Sequence, residues 1–279
     1  MKNNTCDLTV VIPCYCCSAT IKSAVFSVLN QTLIPSELIL IDDDSTDNTL
    51  NILYELQNSY PKLIRVIKSE ENLGVSKARN LGWENAKSNF LAFLDADDEW
   101  HPKKIEIQYN FMKKTHSVFL CGHNHDIILR SNMDRLAKFF QTIPRIYGIK
   151  ELNFKDFLIR NHFVTPSVMV KRNIPFRFPE DQRFIEDHYL WLEMTSAGMK
   201  VVKLNCSLTV IRKKMFGVSG LSSHLWLMER TELLVYWKLL RQGKISIAPC
   251  LLLQTFSLLK FFRRVLKTYS GKFLLIFLK

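Results

Sequence analysis

The sequence is poorest in acid where it carries the most base. Residues 200–279 hold 15 Lys or Arg against two acids, Glu229 and Glu232, whereas residues 1–199 hold 23 basic and 24 acidic residues. The net charge of +12 therefore sits almost wholly in the tail. A localised basic segment implies an anionic partner surface: phospholipid, phosphorylated glycolipid or nucleic acid. Other absences narrow the class. No G-x-x-x-x-G-K-[ST] loop is present, which excludes a P-loop nucleotidase. No G-x-G-x-x-G follows the first strand signal, which counts against a dinucleotide dehydrogenase. The opening MKNNTCDLTVV lacks the apolar block and cleavage site of a secretory signal, so the seven cysteines are expected as reduced thiols in a cytosolic protein. Pro249, Gln254 and Lys260 interrupt the tail, leaving no apolar run of ~18 residues to span a membrane. There is no internal repeat.

What is present reads as α/β. With 279 residues and 47% hydrophobic content, one large α/β domain with a small appendage can bury a sizeable core. Residues 8–12, 38–41, 64–68 and 90–94 are short apolar runs suited to buried strands, and residues 18–29, 46–60, 76–86 and 102–114 carry helical spacing between and after them. That alternation implies βαβ units and a parallel sheet. Farther on, residues 152–160 and 185–197 read as helices. Residues 163–170 read as a strand interrupted by Pro166, and residues 201–204 and 208–212 as two short strands. From Trp226 the chain reads as helix broken near Gly243 and Pro249.

Two of the strand signals end in acid. LILI runs into DDDSTDNT at residues 42–49, and FLAFL runs into DADDEW at residues 95–100. One acidic loop can be mere solvated surface. Two that follow buried strands directly deliver carboxylates to the sheet edge where open α/β sheets bind ligands. Hard carboxylates such as Asp95 and Asp97 suit Mg²⁺ or Mn²⁺ shared with substrate phosphates.

With these residues in view the chain resembles the nucleotide-sugar domain of glycosyltransferase family 2, with its GT-A fold. The resemblance rests on IPCYCCSATIKSAVFSVLNQTL (12–33), ELILIDDDSTDNT (37–49), ENLGVSKARNLGWENAKSNFLAFLDADDEWHP (71–102) and FIEDHYLWLEMTSAG (184–198). It implies a Rossmann-like, mostly parallel central sheet flanked by helices, with a basic helical C-terminal extension. Residues 1–115 form the nucleotide-sugar part, residues 116–220 the acceptor part of the same domain, and residues 221–279 a basic amphipathic tail. It also implies roles. Pro13 and Tyr15 line the nucleotide base, Asp43 faces the uracil, and Arg79 with Asn80 builds the donor pocket. Asp95 lies near the ribose, Asp97 contacts the metal with Asp95 beside it, and Asp98 assists from behind. Asp187 is the catalytic base, with Glu186 and Trp191 on the acceptor side. Arg212, with Lys213 and Lys214, is suited to phosphate. Two local departures stand out: Cys16 where the family usually has Asn, and Asp44 where it usually has Gly.

The expected reaction is therefore inverting transfer from a UDP-sugar, assisted by Mn²⁺ or Mg²⁺, to a hydroxyl of a glycan or lipid-linked acceptor in cell-surface polysaccharide or lipopolysaccharide synthesis. The tail is expected to lie peripherally on an anionic membrane, at the inner face of the cytoplasmic membrane, or else to pack on the domain. Nucleic acid is disfavoured, because the tail is aliphatic and carries no readout module. The competing functions are a sugar-phosphate nucleotidyltransferase, which would need a glycine-rich loop where VIPCYCC stands, and a non-catalytic nucleotide-sugar or glycan-binding protein. The cysteines of CYCC lack the paired spacing of structural zinc, so Cys14, Cys16 and Cys17 are expected to pack the first turn. His123 and His125 share a strand face without an evident third ligand.

Overall fold

A computed structural model of the chain describes residues 5–212 and 224–277, with residues 267–277 described by backbone alone. One mixed sheet is sandwiched between helices. Its first half follows the expected alternation: β1 (Thr5–Cys14), α1 (Ile21–Leu29), β2 (Ile34–Asp42), α2 (Thr49–Ser59), β3 (Ile64–Lys68), α3 (Val75–Asn85) and β4 (Phe90–Phe93). These strands pair in the order β3-β2-β1-β4, every pair parallel. Helices cover both faces, so Val10, Val11 and Ile12 of β1 are all fully buried although they alternate in direction. Val10 and Ile12 pack toward α1 and α2, and Val11 packs toward α3. Helix α3 approaches β1 closely enough that a Cβ on Gly82 would overlap Val11.

The second half is built differently. It comprises β5 (Glu99–Trp100), α4 (Lys104–Lys114), β6 (Val118–Ile127), α5 (Met133–Gln141), β7 (Ile149–Leu152), α6 (Phe154–Ile159), β8 (Met169–Lys171), α7 (Glu186–Ser196) and β9 (Lys200–Ile211). The sheet continues β4-β8-β6-β9-β5, with β7 added on β9. Only β6 and β9 pair in parallel here; the other neighbours are antiparallel. The parallel character expected from the alternation thus belongs to the first half.

Several elements depart from the sequence reading. Helix α1 starts at Ile21, because residues 17–20 form a turn in which Thr20 N–H bonds the Cys17 carbonyl at 2.9 Å. Helix α4 starts at Lys104, after Pro102. Residues 163–170 are a 3₁₀ turn, Thr165–Ser167, followed by β8. The two short strands expected after residue 200 are one strand, β9, whose irregular register with β6 absorbs Asn205, Cys206 and Leu208. Helix α5 is absent from the sequence reading, which places only His123 and His125 of β6 on a strand.

The tail folds back as α8 (Leu225–Arg241) and α9 (Ile247–Phe277). Pro249 does not break α9; it lies in the first turn, where its missing N–H costs nothing. One side packs on the domain. Tyr236 donates to the Leu158 carbonyl at 3.2 Å, and Lys260 reaches Glu232 at 2.8 Å and the Ile159 carbonyl at 3.4 Å. The other side exposes Leu252, Phe256, Leu259, Phe262 and Leu266. No helix among the described residues is long and apolar enough to cross a membrane.

Candidate functional site

The parallel strands end together at one edge, and the expected residues gather there. At the end of β1, Pro13 is half-buried and Tyr15 is 53% exposed. The turn beneath Tyr15 is pinned to the loop after β2: Cys16 N–H donates to Ser45 Oγ at 3.1 Å, and Cys17 N–H to Thr49 Oγ1 at 2.8 Å. Cys14 is fully buried, Cys17 is half-buried, and Cys16 is exposed with φ +44°. All seven cysteines are free thiols, and the described residues contain no cluster of three or more His, Cys, Asp or Glu that could hold a metal. Cys14 and Cys17 pack into the turn that carries Tyr15.

Asp43 ends β2. Its carboxylate accepts Leu73 N–H at 2.7 Å and Gly74 N–H at 2.9 Å, which anchors the loop that starts α3. Burial raises its pKa, and the two N–H donors oppose that shift. Asp44 follows at φ +59°.

Helix α3 presents Arg79, the centre of the arrangement. Its side chain is 4% exposed. One Nη donates to Asp95 Oδ1 at 2.7 Å, and the other to Glu186 Oε1 at 2.8 Å, with the Phe178 ring 5.2 Å below. Burial alone would favour the neutral form, but the two carboxylates hold Arg79 charged and push its pKa up. Its neighbour Asn80 grips the chain entering α7: it donates to the Phe178 carbonyl at 2.9 Å and accepts Phe178 N–H at 3.1 Å. The end of β4 and the chain leading into α7 are thereby clamped by consecutive residues of α3.

Asp187 opens α7 beside Glu186. It is half-buried and held by neutral donors: Asn161 Nδ2 at 3.2 Å, Thr165 Oγ1 at 3.3 Å and His188 N–H at 2.6 Å. Burial raises its pKa, against the pull of Arg79 and of these donors. Ile185, just before the pair, has φ +50°. A β-branched residue pays about 1–3 kcal/mol for that conformation, a strain typical of functional sites. The contacts of Asn161 and Thr165 with Asp187 and the strain at Ile185 cannot be read from the sequence: Asn161 and Thr165 lie 26 and 22 residues from Asp187, on another element.

Asp97 is half-buried at the same edge. Asp98 is buried and accepts Arg212 N–H at 3.1 Å, so it serves to hold the end of β9. Two hard carboxylates two residues apart, one tied to Arg79, are a donor set suited to Mg²⁺ or Mn²⁺ shared with a diphosphate, not to an all-protein cage.

Trp191 requires correction. It is fully buried in the core with Phe163 and Phe178, so it offers no face to a sugar. Arg212 is 8% exposed; its guanidinium pairs with Glu99 at 3.1 Å and approaches the Ile128 carbonyl at 3.4 Å, inside the fold. Lys213, Lys214 and the rest of the expected phosphate loop, residues 213–223, lie outside the described residues. His123 is buried with Nδ1 on the Asn124 carbonyl, and it joins no metal cluster among the described residues.

Comparison with known proteins bears on this geometry. The family model described as "Glycosyl transferase family 2" matches residues 9–174. The Escherichia coli UDP-Glc:alpha-D-GlcNAc-diphosphoundecaprenol beta-1,3-glucosyltransferase WfgD is 30% identical over 219 residues, covering 78% of this chain and 80% of the relative. WfaP, of the same printed activity and organism, is 32% identical over 217 residues, covering 76% of this chain and 80% of the relative. The crystal structure of S. aureus TarS 1-349 in complex with UDP-GlcNAc superposes with a TM-score of 0.66 at 18% identity, covering 90% of this chain and 71% of that one.

Proposed function

The chain belongs to glycosyltransferase family 2, and from that premise we propose that it moves a sugar from a UDP-sugar to a hydroxyl of a lipid-linked glycan, with inversion, in cell-surface polysaccharide synthesis. The observation that carries this reading is the Arg79 bridge. One guanidinium joins Asp95, at the end of a donor-side strand, to Glu186, the neighbour of Asp187. A base and a donor pocket are thereby held side by side, as single displacement requires.

In this proposal residues 1–115 bind the donor, with the base against Pro13 and Tyr15 and the uracil toward Asp43. Residues 116–220 shape the acceptor site. Asp187 takes the proton of the acceptor hydroxyl as that oxygen attacks the anomeric carbon, and the bond to the diphosphate breaks as UDP leaves. General-base assistance of this kind is worth roughly 10²–10⁴-fold. Asp187 suits the task because burial raises its proton affinity while Asn161 and Thr165 keep it aimed. Asp97, with Asp95 beside it, would hold Mn²⁺ or Mg²⁺, whose charge offsets that of the departing diphosphate. WfgD and WfaP are named for UDP-glucose and a diphosphoundecaprenol-linked acceptor, which makes UDP-glucose and a lipid-diphosphate GlcNAc the first pair to try. The exposed apolar stripe of α9, interleaved with Arg263 and Arg264, supports peripheral contact of residues 221–279 with an anionic membrane, on the cytoplasmic face where such donors are made.

The anomeric configuration of the product tests the mechanism. From the α-linked donor a β-glycoside is expected by proton NMR coupling. An α-glycoside would refute single displacement.

A further inference from the structure

A cavity of about 530 Å³ lies away from the Arg79 bridge, between α5, the chain that follows it, and strands β6 and β9. Its base is formed by Ile128, His101 and Cys206, all buried. Three cations line it, Arg135, Lys138 and Arg145, together with a single acid, Asp126. No carboxylate among the described residues forms an ion pair with any of the three cations. The Ser207 hydroxyl in the lining is buried and has no partner among the described residues.

The rim is apolar and bare. Ile143 is 74% exposed and Tyr147 79%, with Met133, Ile146 and Ile149 also exposed nearby. Helix α5 itself is anchored by one fully buried residue, Leu136, packed on Ile128 and Val210. Three exposed cations that line one cavity and form no ion pair among the described residues match phosphate. Exposed isoleucines and a tyrosine around its mouth match the boundary between headgroup and acyl chain, where amphipathic side chains settle. A soluble phosphate compound would leave that rim in water, and a protein partner would have to supply both an anion and an apolar collar.

We propose that this cavity seats the phosphate of an anionic membrane phospholipid, with Ile143 and Tyr147 entering the interface, as a second membrane contact separate from α9. The inference rests on the membrane-association reading above, and the test separates the two. Full-length protein is titrated with vesicles of phosphatidylglycerol mixed with phosphatidylcholine, and with vesicles of phosphatidylcholine alone. A cation near an anionic surface is worth roughly fivefold in partitioning. The triple variant Arg135→Gln, Lys138→Gln, Arg145→Gln should therefore bind the anionic vesicles on the order of a hundredfold more weakly, with its neutral-vesicle binding and thermal melt unchanged. A stripe variant, Leu252→Ser with Leu259→Ser and Phe262→Ser, should weaken on both vesicle types. Wild-type affinity of the triple variant for anionic vesicles overturns the cavity proposal, and weakened binding of the stripe variant then still upholds α9. A wild-type protein that binds neither vesicle overturns both.

Discussion

The two halves of the sheet reach the same edge by different means. In β1 to β4 the strands are parallel, those inside the edge strand β3 are largely buried on both faces, and β2 and β4 bring their acids to the edge simply by ending there. In β5 to β9 the pairing is largely antiparallel, and the acids Glu186 and Asp187 come from a helix, α7, that has to be held in place. In the proposed function, donor chemistry would thus be built into the sheet and acceptor chemistry fastened to it. The fastening is Arg79 and Asn80 on one side and Asn161 with Thr165 on the other.

The sharpest way to break this arrangement is to remove the clamp. Arg79→Met should cost about 3–5 kcal/mol of stability, since it strands Glu186 and Asp95 as unpaired, partly buried carboxylates. Urea unfolding measures that loss, and UDP binding and transfer should fall together. A variant of wild-type stability would mean that the two halves are held by packing alone.

The second intervention touches the acceptor half only. Asp187 must be ionised to accept a proton, so transfer should rise with pH through a pKa that burial places above the ordinary carboxylate value. Asn161 and Thr165 hydrogen-bond to the ionised form. Asn161→Ala or Thr165→Val should therefore move the acidic limb of the rate profile to higher pH and cost about fivefold below it, the worth of one net hydrogen bond. UDP affinity should not change. A limb that stays in place would remove these two residues from the site.

The smallest effect falls in the donor half. Cys16 and Asp44 both hold left-handed backbone, φ +44° and +59°. Those are the positions where the family resemblance leads one to expect Asn and Gly, the residues that take this conformation most easily. Cys16→Asn should gain up to about 1 kcal/mol in urea unfolding, with transfer unaffected. Loss of activity in that variant would give the thiol a role beyond the turn.

The same contrast explains what could be read from the sequence. Strands buried on both faces write themselves as continuous apolar runs, so β1, β2 and β4 and the acids after β2 and β4 are legible, as are the shorter β3 and the helix bearing Glu186 and Asp187. Helix α5 sets Met133, Leu136, Phe139 and Phe140 at helical spacing, and β6 opens on an apolar run over residues 118–121, so both leave a signal in the sequence; the far end of β6, from Asn124 to Ile127, is half-exposed and polar and leaves none. Arg79, Asp95 and Glu186 could each be named, but not their mutual contact, which spans 107 residues from α3 to α7. Trp191 and Arg212 show the opposite error: a residue type suited to sugar or phosphate is taken up by the core or by an internal ion pair.

The central claim is that Asp187 performs acceptor activation beside an independently formed donor site. Release of UDP from UDP-glucose, with a lipid-diphosphate GlcNAc acceptor and Mn²⁺ supplied, tests it most directly when wild-type protein and Asp187→Asn are compared alongside UDP binding by calorimetry. Acceptor-dependent release should fall roughly 10²–10⁴-fold in Asp187→Asn, while UDP binding is preserved. Release at the wild-type rate by Asp187→Asn, or absence of UDP binding by the wild type, would contradict it.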